Sequence, residues 1–296
     1  MEEVYKMKDR YQIRSDFADE IITADVRSKT YEHIEKKNAN IRSNYIKVLH
    51  DENELGKQKG EYVSVECKHL DDHEIREQMV DAIKENLTHM CSHMNIKPLK
   101  ILVVGLGNRF ITSDALGPGV ANEILVTAHL YEQSESFDLS GTRNVAVLQP
   151  GVMGQTGLET FAIVKSVTKT YQPDLVIAVD ALATRNITRI NRVVQINNTG
   201  IQPGSGVGNH RASLCEKSLG LPVIAIGVAT VTSIGAILKE VLQSEESSED
   251  ILQKVYDHQY LDLVVTPKSM DDELNHLIYI VSESLNRFLH PSFSTL

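Results

Sequence analysis

Two aspartates stand where an α/β protein could do acid–base chemistry. Asp114 follows the apolar run 101–104 and the turn Gly105-Leu106-Gly107-Asn108. Asp180 ends the apolar run 175–179. A short apolar run that stops at a glycine or a carboxylate reads as a buried parallel strand entering a turn. Loops at the carboxyl ends of such strands are where open α/β folds place their chemistry. Two carboxylates brought close cannot both stay ionised, so one pKa rises. Such a pair can hold one proton and activate a water between them. Each aspartate alone also reads as an ordinary cap of the following helix.

Other chemistries fit less well. Gly105-Leu-Gly-Asn-Arg lacks the dinucleotide-binding spacing, because position 110 is Phe and no acidic residue follows at the tip of a second strand. The glycine-rich stretch 199–209 has backbone N–H groups that could cradle an anion or shape a substrate cleft, but no Gly-Lys-Ser/Thr follows it. We assign Gly105, Gly107, Asn108, Gly204, Gly206, Gly208 and Asn209 to the shaping of a cleft. The 11 histidines form no zinc motif, and His89 and His93 share a helix face without a third ligand. No metal and no cofactor is expected. Cys67, Cys91 and Cys215 are scattered and suit a reducing compartment. No nucleophile elbow or local Cys/His context is present.

The elements that must position the aspartates can be read along 296 residues, enough for one large α/β domain. A net charge of −10 argues against direct nucleic-acid binding through phosphate neutralisation. The first residues lack an apolar signal core, and no stretch is long and apolar enough for a membrane span. A cytoplasmic protein is expected. A helix start is read at about Asp19, with Ile21, Ile22, Val26 and Ile34 inward and Ser15 or Asp16 as cap. Alternation predicts half-buried strands over 44–49 and 61–67, joined by the polar stretch 51–60. A helix over 71–95 is capped by Asp71 or Asp72 and buries Ile75, Met79, Ile83 and Leu87. Strand 101–104 follows, then a helix over 119–131, a strand over 145–148, a helix over 158–171 and the strand that ends at Asp180. Further strands are read at 192–196, 222–227 and 263–266, with a helix running to about 241 and a last one over 270–289. This alternation implies a three-layer α/β fold with a mostly parallel central sheet and a small N-terminal β extension.

The same residues resemble one family over nearly the whole chain. GLGN and SDALGP within 105–118, PGVMGQTG at 150–157, PDLVIAVDALATR at 173–185, TGIQPGSGVGN at 199–209 and LGLPVIAIGVATV at 219–231 look like the germination proteases of spore-forming bacteria. Positions 109–111 (Arg-Phe-Ile) and His210 depart from that pattern. The resemblance implies an atypical aspartic-type endopeptidase, outside the serine, cysteine and zinc classes. Its key carboxylates map onto Asp114 and Asp180. It also implies a fold similar to hydrogenase maturation endopeptidases, a homotetramer, a forespore and spore-core location, and small acid-soluble spore proteins as substrates. Members are zymogens that remove a short N-terminal segment themselves. They cut after Glu or Asp and before Phe, Leu or Ile followed by Ala. Ser15-Asp16-Phe17-Ala18-Asp19-Glu20 matches that context, so autoprocessing is expected between Asp16 and Phe17. Residues 1–16 would be the prosegment and 17–296 a single protease domain.

The acidic cleavage-site residue needs a cationic partner, and Arg109, Arg185 and Arg211 are the loop cations considered, without a ranking. Two other readings remain open: a metal-assisted endopeptidase of the hydrogenase-maturation type, and a non-catalytic protein that binds an anion in its glycine loops.

Overall fold

The structure is a computed structural model that describes residues 15–22, 28–133, 138–203, 212–241 and 263–293. Its frame is one mixed sheet of nine strands. In chain order these are β1 (Tyr31–Lys37), β2 (Ile41–Val48), β3 (Gly60–Cys67), β4 (Lys100–Gly105), β5 (Asn144–Leu148), β6 (Leu175–Thr184), β7 (Val193–Asn197), β8 (Val223–Ser233) and β9 (Val264–Val265). The spatial order is β1-β2-β3-β7-β8-β6-β4-β5, with β9 on the end of β8.

The middle of the sheet, β8-β6-β4-β5, is parallel. These are the strands whose sequences are continuous apolar runs, as burial on both faces requires. From β7 outward the pairing is antiparallel, so the N-terminal strands extend the sheet. β7 is buried at every position, as the parallel strands β6 and β8 largely are, so its antiparallel seating against β8 is not readable from its pattern.

One face of the sheet is covered by the helices His73–His93, Leu116–Glu123 and Met270–Leu289. Asp72 caps the first of these by accepting a hydrogen bond from the Glu74 N–H, which leaves a stripe of Ile75, Met79, Ile83 and Leu87 facing the sheet. Full burial of each such side chain contributes about 1.5–3 kcal/mol. The opposite face carries the helix Thr160–Tyr171, through Val164, and also the side chain of Phe17. No helix among the described residues is long and apolar enough to cross a membrane.

The strands expected to end at Asp180 and Gly227 run on to Thr184 and Ser233, and two other expected elements differ in kind. The helix read from Asp19 is a single 3-10 turn, Asp19–Ile21, and Ile34 lies on β1 with its side chain 59% exposed. Val26 falls outside the described residues. Sparse isoleucines among charges fit a helical period, but β1 is an edge strand with only Tyr31 buried. It is held by a turn in which Asn38 Oδ1 accepts from the Asn40 and Ile41 N–H groups. The helix expected over 119–131 stops at Glu123. There the chain turns extended, and the Leu125 N–H is taken by Asn286 Oδ1 and the Thr127 N–H by the Val145 carbonyl.

The sheet and its helix layer meet most closely at Gly117. A Cβ there would lie 2.2 Å from the Leu106 carbonyl oxygen and 2.5 Å from the Val179 carbonyl oxygen, both backbone atoms. Gly117→Ala must therefore push the helix Leu116–Glu123 away from β4 and β6. We expect a loss of about 1–3 kcal/mol in urea unfolding. An unchanged midpoint would show that this approach is not rigid.

Candidate active site

Asp114 is presented by a turn that closes on itself. The Asn108 N–H donates both to the Asp114 carbonyl oxygen (3.0 Å) and to its carboxylate Oδ2 (2.8 Å). Gly107 sits at φ +113°, and a Cβ there would lie 2.2 Å from the Asp114 carbonyl oxygen. Only glycine meets both demands. The turn is tied down from two sides. Thr230, opposite no residue of β6 because the β6–β8 register shifts there, donates from Oγ1 to the Ser113 carbonyl (2.7 Å). Gln155 donates to Asn108 Oδ1.

Asp180 lies on β6, where the parallel strands β4 and β5 have already ended. It is 5% exposed. Its Oδ1 accepts one bond, from the Ala181 N–H (2.9 Å). Burial, and next the Asp114 charge, hold its carboxyl well above the ordinary carboxylate value. Asp16 pushes it in the same direction. The fold therefore brings Asp114, Asp180 and Asp16 into one electrostatic neighbourhood.

Asp16 belongs to a segment that lies across the sheet. Alternation puts Asp180, Gly227, Gln195, Ser64 and Asn44 in one row on one face, since each pairs with the next across β6, β8, β7, β3 and β2. Asn44, Ser64, Gln195 and Asp180 are all buried polar groups in otherwise apolar strands. Such groups need partners, and residues 15–20 supply them. Asp16 spans from β6 to β7: its N–H donates to the Ala183 carbonyl (3.2 Å), its Oδ2 accepts from the Ala183 N–H (2.8 Å), and its carbonyl accepts from Gln195 Nε2 (3.1 Å). Lys57 Nζ donates to the same carbonyl (3.0 Å) and to that of Ser15 (3.1 Å). Gln195 Oε1 then accepts from the Ala18 N–H (2.9 Å), so one amide side chain brackets Phe17. Phe17 and Ala18 are fully buried.

Beyond them, Asp19 accepts from Ser64 Oγ (2.5 Å) and Asn44 Nδ2 (3.0 Å). It also takes two bonds from Arg189, at 3.0 and 2.8 Å. Glu20 accepts from Arg189 Nη1 (2.9 Å), the Arg185 N–H (2.8 Å), Thr184 Oγ1 and Ser15 Oγ. The Arg189 guanidinium, 5.0 Å from the Phe17 ring centre, also reaches Glu66 at 3.1 Å. Burial works to raise the Asp19 carboxyl, but the Arg189 charge and the hydrogen bonds outweigh it and hold it below the ordinary value. Burial also lowers the Lys57 ammonium, against the opposing pull of Asp16. A cavity of about 280 Å³ opens beside Asp16, lined among others by Lys57, Tyr62, Gln195, Thr199 and Gly227.

Of the residues assigned from sequence, Asp114, Asp180, Asp16, Phe17, Gly107 and Asn108 come together here. Gly105 packs beneath, where a Cβ would strike the Gly117 carbonyl. Gly204, Gly206, Gly208 and Asn209 lie outside the described residues, as does Arg211. Among the three arginines considered, Arg185 touches Glu20 through its backbone N–H, and Arg109 stacks on Phe110 at the surface. The Asp16 carboxylate, for which a loop arginine is expected, accepts from the Ala183 N–H; Arg189 binds Asp19 and Glu20 beyond the bond, and sequence reasoning missed it, as it missed Lys57 and Gln195. A glutamine in the buried run Val-Val-Gln-Ile-Asn was the available signal. Among the described residues no cluster of three or more His, Cys, Asp or Glu could hold a metal ion.

Comparison with known proteins places this geometry. A germination protease family model matches residues 8–244. A germination protease of Caldanaerobacter subterraneus subsp. tengcongensis is 36% identical over 280 residues, covering 86% of each chain. One of Bacillus velezensis is 45% identical over 188 residues, 62% of this chain and 51% of that protein. A NiFe hydrogenase maturation protease, HycI, from Thermococcus kodakarensis KOD1 aligns over 56% of this chain and 94% of its own at 21% identity, with a TM-score of 0.29, too slight a likeness to build on. The family match spans most of the chain, and the relatives agree with it: the chain belongs to the germination protease family, and it is a protease.

Proposed function

We propose that this protein is an aspartic-type endopeptidase that cuts its own bond between Asp16 and Phe17, and then cuts small acid-soluble spore proteins at sequences of the same kind. The observation that carries the reading is residues 15–20 lying across the sheet beside Asp180, with every polar side chain of the motif engaged. Ser-Asp-Phe-Ala-Asp-Glu is then the substrate sequence in its track. Residues 1–16 are the prosegment and 17–296 the protease domain. Assembly into a homotetramer in the forespore and spore core comes from the family and is part of the same proposal.

In the reaction, Asp180 is the group kept protonated by burial and by its acidic neighbours, so it donates a proton to the leaving nitrogen of Phe17. Asp114, whose carboxylate is steadied by the Asn108 N–H, takes a proton from the attacking water. Specificity follows from the track. Ala183 accepts the acidic residue before the bond, the buried apolar face takes Phe17, and Arg189 with Thr184 reads the acidic residues beyond it. The metal-assisted and anion-binding alternatives draw no support from a specific feature of the site.

Asp114→Asn and Asp180→Asn should each abolish both self-cleavage and cleavage of an acid-soluble spore protein. Wild type should yield, by intact mass, a product beginning at Phe17. A product beginning elsewhere, or full activity in either variant, sinks the assignment.

Arg189→Ala leaves the enclosed Asp19 and Glu20 carboxylates, and the half-buried Glu66, without their shared cation. Breaking a buried pair in this way costs about 3–5 kcal/mol. Part of that cost should appear as loss of the docked segment, read as proteolytic sensitivity at residues 15–22. Peptides with Gln in place of the last Glu should be poor substrates for wild type. Equal cleavage of both peptides would remove Arg189 from specificity.

The pH dependence has a definite sign. Asp180 is raised from its ordinary 3.8, so its contribution to stability is complete below that value and is lost as pH rises through its folded pKa. Wild type should therefore lose stability relative to Asp180→Asn as pH rises above about 4, and self-cleavage should slow as Asp180 ionises. Asp19 is lowered, so its pairing with Arg189 persists through mild acid and is lost only as pH falls through its own depressed value. Thermal unfolding of the two proteins across pH measures this directly; parallel curves would refute it.

A further inference from the structure

We infer that Lys57 and Gln195 form the oxyanion-binding pair of this protease, an inference that rests on the proposed cut between Asp16 and Phe17. Two donors converge on one carbonyl oxygen. Lys57 Nζ lies 3.0 Å and Gln195 Nε2 3.1 Å from the Asp16 oxygen. Both donors are within hydrogen-bond range of the ground-state oxygen and so stand beside the position where the oxyanion develops.

The two come from different parts of the chain. Lys57 sits on the connection between β2 and β3, held where Asn53 Oδ1 accepts its backbone N–H and Asn53 Nδ2 donates to its carbonyl. Gln195 sits on β7, fixed by its second bond to the Ala18 N–H. Among the described residues, the side-chain bonds of both go to residues 15–18. Gly227, between Asp180 and Gln195 in the same row, gives its place over β8 to the Leu182 side chain, since a Cβ there would lie 2.2 Å from Leu182 Cδ1, and both residues line the cavity beside Asp16. The carbonyl is thus gripped from the Lys57 and Gln195 side, with Asp180 on the other side of the row.

The step balances without a co-reactant. The water oxygen bonds to the Asp16 carbonyl carbon, and one water proton passes to the Asp114 carboxylate. The carbonyl π pair moves onto the oxygen, where Lys57 and Gln195 bind it. The C–N bond then breaks, the electron pair returns to re-form the carbonyl, and Phe17 nitrogen takes the Asp180 proton. The products are the Asp16 carboxyl and the Phe17 amine.

The pair also gives a role to a half-buried ammonium that points at the backbone of the cleavage segment. It donates to the Ser15 and Asp16 backbone carbonyls, while Asp16, Glu20 and Asp19 supply the surrounding negative potential and Arg185 opposes it. A cation placed this way favours the transition state over the neutral carbonyl of the ground state, which is the requirement for raising kcat.

The test uses the full chain and a peptide carrying Ser-Asp-Phe-Ala-Asp-Glu, with Lys57→Met, Lys57→Arg, Gln195→Leu and, in parallel, Asp180→Asn. Lys57→Met should lower kcat by about 100-fold or more with KM changed only a few-fold. Lys57→Arg, which keeps a charged donor, should recover part of it, and Gln195→Leu should lose kcat as well. If Lys57→Met fails to fold by circular dichroism, the kcat values of Lys57→Arg and Gln195→Leu decide. Wild-type kcat in the folded variants, or a loss confined to KM, overturns the inference and leaves the pair as docking groups. Failure of the underlying reading looks different: Asp180→Asn would stay active, or the cut would fall at another bond.

Discussion

A guanidinium buried beside three carboxylates governs how the N-terminal segment lies. Arg189 reaches Asp19, Glu20 and Glu66 at 2.8, 2.9 and 3.1 Å. Taking these groups out of water is costly, and only good geometry and further hydrogen bonds offset it. Asn44, Ser64, Thr184 and the Arg185 N–H provide those bonds. The cluster therefore has one satisfactory arrangement. Once Asp19 and Glu20 are seated, Phe17 is drawn under the guanidinium and Asp16 is carried to Asp180. Charge pairing at one end of the track sets the position of a peptide bond at the other.

The sheet supplies the complementary constraint. Its parallel strands end at different heights: β4 stops at Gly105, while β6 continues to Thr184. That step leaves room for the 105–117 turn to fold over the end of β4 and bring Asp114 toward Asp180. The closeness needs glycine at 107 and at 117, where backbone atoms fill the place of a side chain. Thr230 then fixes the turn from the far side. The acidic pair is held by backbone packing, and burial alone is the first cause of the raised Asp180 carboxyl.

The layering, the helices over 73–93 and 270–289, and the apolar runs that precede the two aspartates were legible from sequence, although β6 carries Asp180 inside it and runs on to Thr184. Those features are local. The track was not legible, because it is made across strands. Asn44, Ser64, Gln195 and Asp180 come from four strands that align only once the pairing register is set, and a shift of one residue would turn them to the other face. Arg189 is a single charged residue in a short turn after β6, without a motif of its own. Residues 15–20 were singled out through family resemblance; as bare residues they read as a helix start. Edge strand β1 was missed for a related reason, since its outer face shows no alternation to read.

The complete burial of Phe17 and Ala18 bears on reaction order. The bond before Phe17 is held by the fold, buried on its Phe17 side and half-buried on its Asp16 side. Its two halves are already assembled, at the high effective molarity that a tether provides. Removal of the leader, in the reaction proposed, is then a unimolecular event whose half-life does not change on dilution. In that reaction each molecule keeps its own clock, and a concentrated population matures at the same pace as a dilute one.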